Sequence, residues 1–211
     1  MIIGLCGFAD SGKGTVGDFL ESRYEFKQIS FASTLKDTVS IMFGWSRDLL
    51  EGQNSESRVW REREDPYWTK KFGYKVTPRN MLQKMGTEVI RNNLHDSFWL
   101  YSLEHKIEPK QNYVITDIRF PNEIDFLKSM NGYLVRVRRG IEPDWKNDAI
   151  ADLRGNRIGP LGSLMTEKWP KVHISEWNWL DSPFECVLAN DGTVNDLLSE
   201  VVEMMKTFDK H

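Results

Sequence analysis

Near the start of the chain, Gly7-Phe8-Ala9-Asp10-Ser11-Gly12-Lys13-Gly14-Thr15 combines a cation, hydroxyls and glycines at the spacing that phosphate chemistry needs. Gly7, Gly12 and Gly14 let the backbone wrap closely, so that amides around Asp10, Ser11 and Gly12 can point at one anion. The helix that follows adds partial positive charge at its N-terminus, and Lys13 is placed to bridge the β- and γ-phosphates of a nucleotide such as ATP. Loops of this kind usually place a hydroxyl directly after the lysine. Here Gly14 intervenes, and the hydroxyl suited to a position near Mg²⁺ belongs to Thr15. The plainer alternative is a glycine-rich turn that merely joins a strand to a helix.

A second group of chemical side chains follows Val114-Ile115-Thr116. Asp117 stands where a strand end would present a carboxylate to Mg²⁺, directly or through water, or to a substrate hydroxyl. Arg119 leaves the same strand end, where a guanidinium could stabilise charge on a transferred phosphoryl group. A loop cap for Asp117, or a mutual salt bridge, would explain the pair without chemistry.

Elements must hold these groups in place, and the chain alternates apolar runs with amphipathic stretches. Strands are expected at Ile2 to Cys6, Phe26 to Ser30, Tyr113 to Thr116, Tyr133 to Val137 and Phe184 to Ala189. Helices are expected from Lys13 to about Ser22, through Leu35, Val39, Met42 and Phe43, from Pro78 to Ile90, from Ser97 to His105, from Pro121 to Met130 and from Val194 to Phe208. The last of these has Val194, Leu197, Leu198, Val201, Val202 and Met205 on one side. The pattern predicts an α/β fold, a five-stranded, doubly wound parallel sheet flanked by helices that binds ligands at the carboxyl ends of its strands. Two segments break the alternation, 44–76 and 138–172.

Composition narrows the class of function. The 211 residues suit a single domain, with 44–76 and 138–172 as insertions. The balance of 28 Lys+Arg against 31 Asp+Glu offers no global field for nucleic acid or an anionic membrane. Cys6 and Cys186 cannot make a disulfide framework, no apolar run approaches the roughly 18 residues of a membrane span, and a reducing cytoplasmic setting is expected. Of eight tryptophans, Trp45, Trp60, Trp68, Trp145 and Trp169 fall in polar segments where no core is expected.

The Gly12-Lys13-Gly14-Thr15 ending resembles the phosphate loops of nucleoside monophosphate kinases such as adenylate kinase. Further stretches then follow in order: Phe31-Ala32-Ser33-Thr34-Leu35-Lys36-Asp37, Pro78-Arg79-Asn80-Met81-Leu82-Gln83-Lys84-Met85-Gly86-Thr87-Glu88, Thr116-Asp117-Ile118-Arg119-Phe120-Pro121-Asn122-Glu123, His173-Ile174-Ser175-Glu176 and Asn190-Asp191-Gly192-Thr193. Together they span nearly the whole chain, which resembles the bacteriophage-type deoxynucleoside monophosphate kinases.

That resemblance implies a P-loop kinase fold and transfer of the γ-phosphoryl group of ATP to a deoxynucleoside 5′-monophosphate (dNMP), with Mg²⁺ as cofactor. It makes Lys13, Asp117 and Arg119 the catalytic group, with Gly7, Asp10, Ser11, Gly12, Lys13, Gly14, Thr15, Asn190 and Gly192 around ATP. Asp117 also faces the acceptor. Lys36, near the opening of the helix after the second strand, Arg58 and Arg79 are the candidates for the acceptor phosphate. Gln83 and Thr87, one and two turns beyond Arg79, together with Gly86, would meet its sugar or base. Trp99 could stack on that base or belong to the core, whereas Phe98 reads as core. Segment 44–76 takes the place of an acceptor-side flap, and 138–172 that of a lid whose Arg138, Arg139, Arg154 or Arg157 would reach the transferring phosphate. For each of these groups a solvated surface charge or ordinary packing is the competing explanation.

A kinase resembling dephospho-coenzyme A kinase shares the sheet plan and is the nearest alternative. A P-loop switch or DNA-stimulated ATPase is a more distant one, because there is neither a basic tract nor an Asn-Lys-x-Asp motif. The expected partners are small molecules rather than nucleic acid or membrane, and a homodimer is compatible with the sequence.

Overall fold

The structure, a computed structural model, describes residues 1–52, 54–155 and 163–210. In chain order its elements are β1 (Ile2–Cys6), α1 (Lys13–Tyr24), β2 (Lys27–Ile29), α2 (Ala32–Phe43), α3 (Arg47–Glu51), α4 (Ser55–Glu62), α5 (Pro66–Phe72), α6 (Pro78–Gln83), a π-helical stretch (Lys84–Arg91), α7 (Phe98–Glu104), β3 (Tyr113–Ile115), α8 (Pro121–Ser129), β4 (Tyr133–Arg138), α9 (Lys146–Leu153), α10 (Leu164–Lys168), a 3₁₀ turn (Ile174–Glu176), β5 (Cys186–Ala189) and α11 (Val194–Phe208). They divide between two compact units, Met1–Ile29 with Ile107–His211, and Ser30–Lys106.

The first unit contains the expected sheet, five parallel strands in the order β2-β3-β1-β4-β5. β1 is central, which explains its unbroken apolar run, since a strand covered on both faces has no reason to alternate. Ile3, Leu5, Val114, Val135, Val137 and Leu188 turn one face toward Val16 and Leu20 of α1 and Leu197, Val201, Met204, Met205 and Phe208 of α11. On the other face Gly4 makes room for α8 and its approach, because a Cβ there would lie 2.2 Å from Ile118 Cδ1 and 2.6 Å from Leu127 Cδ2. At the first position of α11, Val194 is 58 % exposed rather than buried with the apolar stripe.

The second unit corrects the expectation for three tryptophans. Trp45 is 8 % exposed and belongs to a core with Val39, Leu50, Val76 and Met81, against which Trp60 and Trp68 pack. Phe43 stacks on Trp45 at 4.5 Å. Two of the indole N–H groups find acceptors, Trp45 Nε1 donating to Asp65 Oδ2 at 2.8 Å and Trp68 Nε1 to the Phe43 carbonyl at 3.1 Å. Segment 44–76, where the sequence allows an irregular or a helical insertion, contains three short helices, each opened by a side-chain cap (Ser46, Asn54, Asp65). None is long enough to set a readable period.

The expected continuous helix from Pro78 to Ile90 also changes. Thr77 and Asn80 form a reciprocal capping box at its start, but after Gln83 the backbone passes into the π-helix. Bonds from residue i to i+5 turn the side chains by less per residue than an α-helix does. Arg79 and Gln83 keep α-helical spacing, and the smaller turn per residue beyond Gln83 leaves Thr87 on their side of the helix. Segment 138–172 contains α9 and α10, while Arg157 lies outside the described residues.

Candidate active site

β1 delivers the chain at Cys6, and the loop turns through positive φ at Gly7 (149°), Asp10 (61°) and Gly12 (108°) before α1 begins at Lys13. Such torsions suit glycine, and space demands it too. A Cβ on Gly7 would lie 2.3 Å from the Val137 carbonyl, and one on Gly12 would lie 2.6 Å from Asn190 Nδ2. Gly14 differs, with nothing within 4 Å of an added Cβ. Lys13 Nζ curls back and donates to the carbonyls of Gly7 and Phe8, both at 2.8 Å. Burial pulls the Lys13 ammonium down to about 8, and Arg119 acts in the same direction against the carboxylates of Glu176 and Asp10. Ser11 is 3 % exposed, and its Oγ has no hydrogen-bond partner among the described residues. A cation held next to an unpaired buried hydroxyl and a helix N-terminus fits a bound anion. Burial pushes the neighbouring Cys6 thiol up to about 12, which leaves it unreactive.

Arg119 stands at the carboxyl end of β3, and Nη1 donates to Glu176 Oε1 at 2.9 Å and Ser175 Oγ at 3.4 Å. Sequence reasoning gave Glu176 no role of its own, although Ser175-Glu176 was among the matching stretches. The backbone under Arg119 is held by Glu123, 2 % exposed, which accepts the amides of Arg119 at 2.7 Å and Phe120 at 3.1 Å. The Glu123 amide in turn donates to the Phe120 carbonyl at 3.0 Å, which closes the first turn of α8. Asp117 and Thr15 are both half-buried. Among the described residues no group of three or more His, Cys, Asp or Glu gathers to hold a metal. A hard cation such as Mg²⁺ needs only one or two protein oxygens when a nucleotide's phosphates supply the rest, and a hydroxyl and a carboxylate, as at Thr15 and Asp117, are oxygen donors of the kind it takes.

The closing strand contributes as well. Asn190 Nδ2 donates to the Ser11 carbonyl at 2.9 Å and ties the end of β5 to the loop. Gly192 is exposed beside Asp196, whose Oδ2 caps α11 through Thr193. Of the described arginines of 138–172, Arg138 pairs with Asp191 at 2.5 Å and Arg154 with Asp181 at 2.7 Å. Arg139 instead reaches the phosphate loop, where Nη1 donates to the Asp10 carbonyl at 3.4 Å.

The second unit collects cations of its own. Lys36, in the second turn of α2, pairs with Glu51 at 2.6 Å, and Arg47 pairs with the same carboxylate. Burial alone would raise the Glu51 carboxyl, but the hydrogen bonds from Lys36 and Arg47 outweigh it and hold it low. Arg58 Nε donates to the Gly52 carbonyl at 3.1 Å, and Arg79 meets Glu62 at 3.2 Å. Between them lies Arg61, which sequence reasoning passed over. Its guanidinium lies against Gly52, where a Cβ would be 2.2 Å from Cζ, and its buried Nε has no hydrogen-bond partner among the described residues. Burial and then the charges of Arg79 and Arg58 pull the Arg61 guanidinium down. Arg58 and Arg61, one turn apart on α4, were the available sequence signal. The carboxylates of Glu62 and Glu51 act on Arg61 in the opposite direction.

Gln83 is exposed and Thr87 half-buried. Gly86 is buried where a Cβ would lie 2.8 Å from Leu35 Cδ2. Trp99 is 5 % exposed, and its Nε1 donates to the Gly86 carbonyl at 2.9 Å, so the indole serves packing and braces the π-helix in this conformation. Phe98, read as core, is the less buried of the two.

The profile of the family described as deoxynucleotide monophosphate kinase matches residues 67–152. A protein of Acanthamoeba polyphaga mimivirus named putative deoxynucleotide monophosphate kinase is 34 % identical over 217 aligned residues, which cover 96 % of this chain and 94 % of that one. The deoxynucleoside-5′-monophosphate kinase of Escherichia phage T5 is 29 % identical over 62 % of this chain and 73 % of its own. Among solved structures, shikimate kinase from Aquifex aeolicus aligns over 99 % of this chain and 98 % of its own with a TM-score of 0.43 and 16 % identity.

Proposed function

The chain belongs to the deoxynucleotide monophosphate kinase family, and we propose that it transfers the γ-phosphoryl group of ATP to a dNMP, giving the diphosphate and ADP. The observation that carries the reading is Lys13, half-buried at the start of α1 beside Ser11, whose buried hydroxyl has no partner among the described residues, a cation and a donor placed for an anion.

In this reading Lys13 and the loop amides from Asp10 to Thr15 hold the β- and γ-phosphates, and Gly7, Gly12, Asn190 and Gly192 shape the donor side. Thr15 and Asp117 are the groups that would hold Mg²⁺, which when bound neutralises phosphate charge. The acceptor's phosphate oxygen forms a bond to the γ-phosphorus as the bond to the bridging oxygen of ADP breaks. Arg119 stabilises the charge on the group in transfer, and Arg139 is the lid arginine that its contact with Asp10 favours. Arg58, Arg61 and Arg79, with Lys36, receive the acceptor's dianion. Gln83, Gly86 and Thr87 serve its nucleoside, and the packing of Trp99 favours a support over a stacking surface. Since catalysis consists of positioning and electrostatics, no strong general base is needed. Segments 44–76 and 138–172 act as acceptor flap and lid that exclude water. The free thiols of Cys6 and Cys186 suit a reducing, cytoplasmic setting.

Lys13→Ala should lower dNMP phosphorylation by on the order of 10³-fold or more while the circular dichroism spectrum is kept. Near-normal turnover in a coupled ADP-release assay, run over the individual dNMPs and their ribose counterparts, would overturn the proposal. Phosphorylation of dephospho-coenzyme A in preference to every dNMP would redirect it.

A further inference from the structure

The phosphate loop has a second attachment that anion binding does not require. Phe8 meets Trp145 edge-on at 5.3 Å and Trp179 at 5.1 Å, and Trp179 continues to Phe184 at 6.3 Å. Among these rings lies Arg136 of β4, its guanidinium carbon 5.9 Å from the Phe8 ring, 5.3 Å from Trp179 and 5.9 Å from Phe184. The Arg136 side chain is 10 % exposed and pairs with Glu142, which Lys146 reaches at 3.0 Å. In the β1–β4 register Arg136 lies opposite Cys6, the last residue before the loop.

A guanidinium taken out of water costs more than an apolar residue of the same volume unless its pairing returns that cost, so its presence here calls for a use. The backbone indicates one. The Phe8 carbonyl accepts from Lys13 Nζ at 2.8 Å, so the residue gripped by the aromatic box also holds the lysine. Deleting the charge would loosen the ring of Phe8, and with it one of the two carbonyls that fix Lys13.

We infer that Arg136 is a positioning residue for nucleotide binding, acting through Phe8 on Lys13, and that Trp145 and Trp179 sense the state of the phosphate loop. The inference rests on the phosphate-loop reading above, but not on the identity of the acceptor. Arg136 is remote in role from the reacting atoms, and its effect should fall on the donor side alone.

The test compares wild-type protein with Arg136→Met, Arg136→Lys and Phe8→Leu. Expected for Arg136→Met and Phe8→Leu is a rise of about tenfold in the KM for ATP with little change in the KM for the dNMP, while Arg136→Lys, which keeps the cation, recovers most of the loss. ATP titrated calorimetrically without acceptor should show the same order of affinities, so that failure of the kinase assignment and failure of this inference are separable. ATP should also change the tryptophan emission of the wild-type protein, and Phe8→Leu should abolish most of that change. An ATP affinity unchanged in both Arg136→Met and Phe8→Leu overturns the inference, as does an equal rise in the two KM values. If Arg136→Met does not fold, Phe8→Leu decides by the same criteria.

Discussion

Arg119 Nη1 lies 2.9 Å from Glu176 Oε1, joining the carboxyl end of β3 to the 3₁₀ turn at Ile174–Glu176. Their side chains are 45 % and 33 % exposed, so the pair contributes at most about 1 kcal/mol to stability. Its value is in aim. Glu176→Gln is expected to leave the melting temperature nearly unchanged yet lower kcat about tenfold to a hundredfold, as a misaimed group does. Arg119→Ala should cost on the order of 10³-fold in kcat. Steady-state kinetics beside thermal melts check both, and a stability loss without a rate loss would refute the aiming role.

Glu123 should behave in the opposite proportion. It is buried and accepts two amides at the start of α8, so Glu123→Ala strands those donors as well as removing a cap. A loss of about 1–2 kcal/mol is expected, read as a fall of several degrees in melting temperature. Activity should fall too, because the Arg119 backbone is one of the groups released.

Lys13 makes nucleotide binding depend on protons. Its folded value of about 8 lies below the unfolded value of 10.5. Between those limits the unfolded chain binds more protons, so this lysine's contribution to stability rises with pH across about pH 8 to 10.5 and is a penalty below it. Phosphates arriving beside Nζ favour the charged form, so ATP should bring on the order of half a proton with it near pH 8. Calorimetry in buffers of different ionisation enthalpy reads this uptake directly. It should vanish in Lys13→Met.

Gly12 and Gly14 should part company although both belong to the loop. Gly12→Ala combines a φ of 108° with a Cβ 2.6 Å from Asn190 Nδ2, and a cost of about 1–3 kcal/mol with loss of ATP binding is expected. Gly14→Ala, with open space at its Cβ and a place inside α1, should be stabilised by up to about 1 kcal/mol through helix propensity. Thermal melts of the two variants test the contrast.

Much of this site was written locally. The residues of the phosphate loop, the turn at Asp117 and Arg119 and the five strands are short-range patterns, because strand burial and loop torsions imprint themselves on adjacent residues. Thr77 followed by Pro78 likewise announced a helix start. The π-helix after Gln83 was not legible, since bracing of the Gly86 carbonyl by Trp99 is a contact between residues far apart in the chain. Nor was the core formed by Trp45, Trp60 and Trp68, which looked polar because its helices are too short to show a period.

By itself the sequence determined the parallel sheet, the anion-binding loop at the end of β1 and the family that the ordered stretches announce, since each depends on spacing within a few residues. Only the tertiary structure decided that Lys13 waits on the carbonyls of Gly7 and Phe8, that Glu176 holds Arg119, that Arg61 joins Arg58 and Arg79, and that Arg136 lies among the rings around Phe8. Charge pairing and burial act through space, and the residues that set them are separated by stretches of chain with no periodic relation to one another.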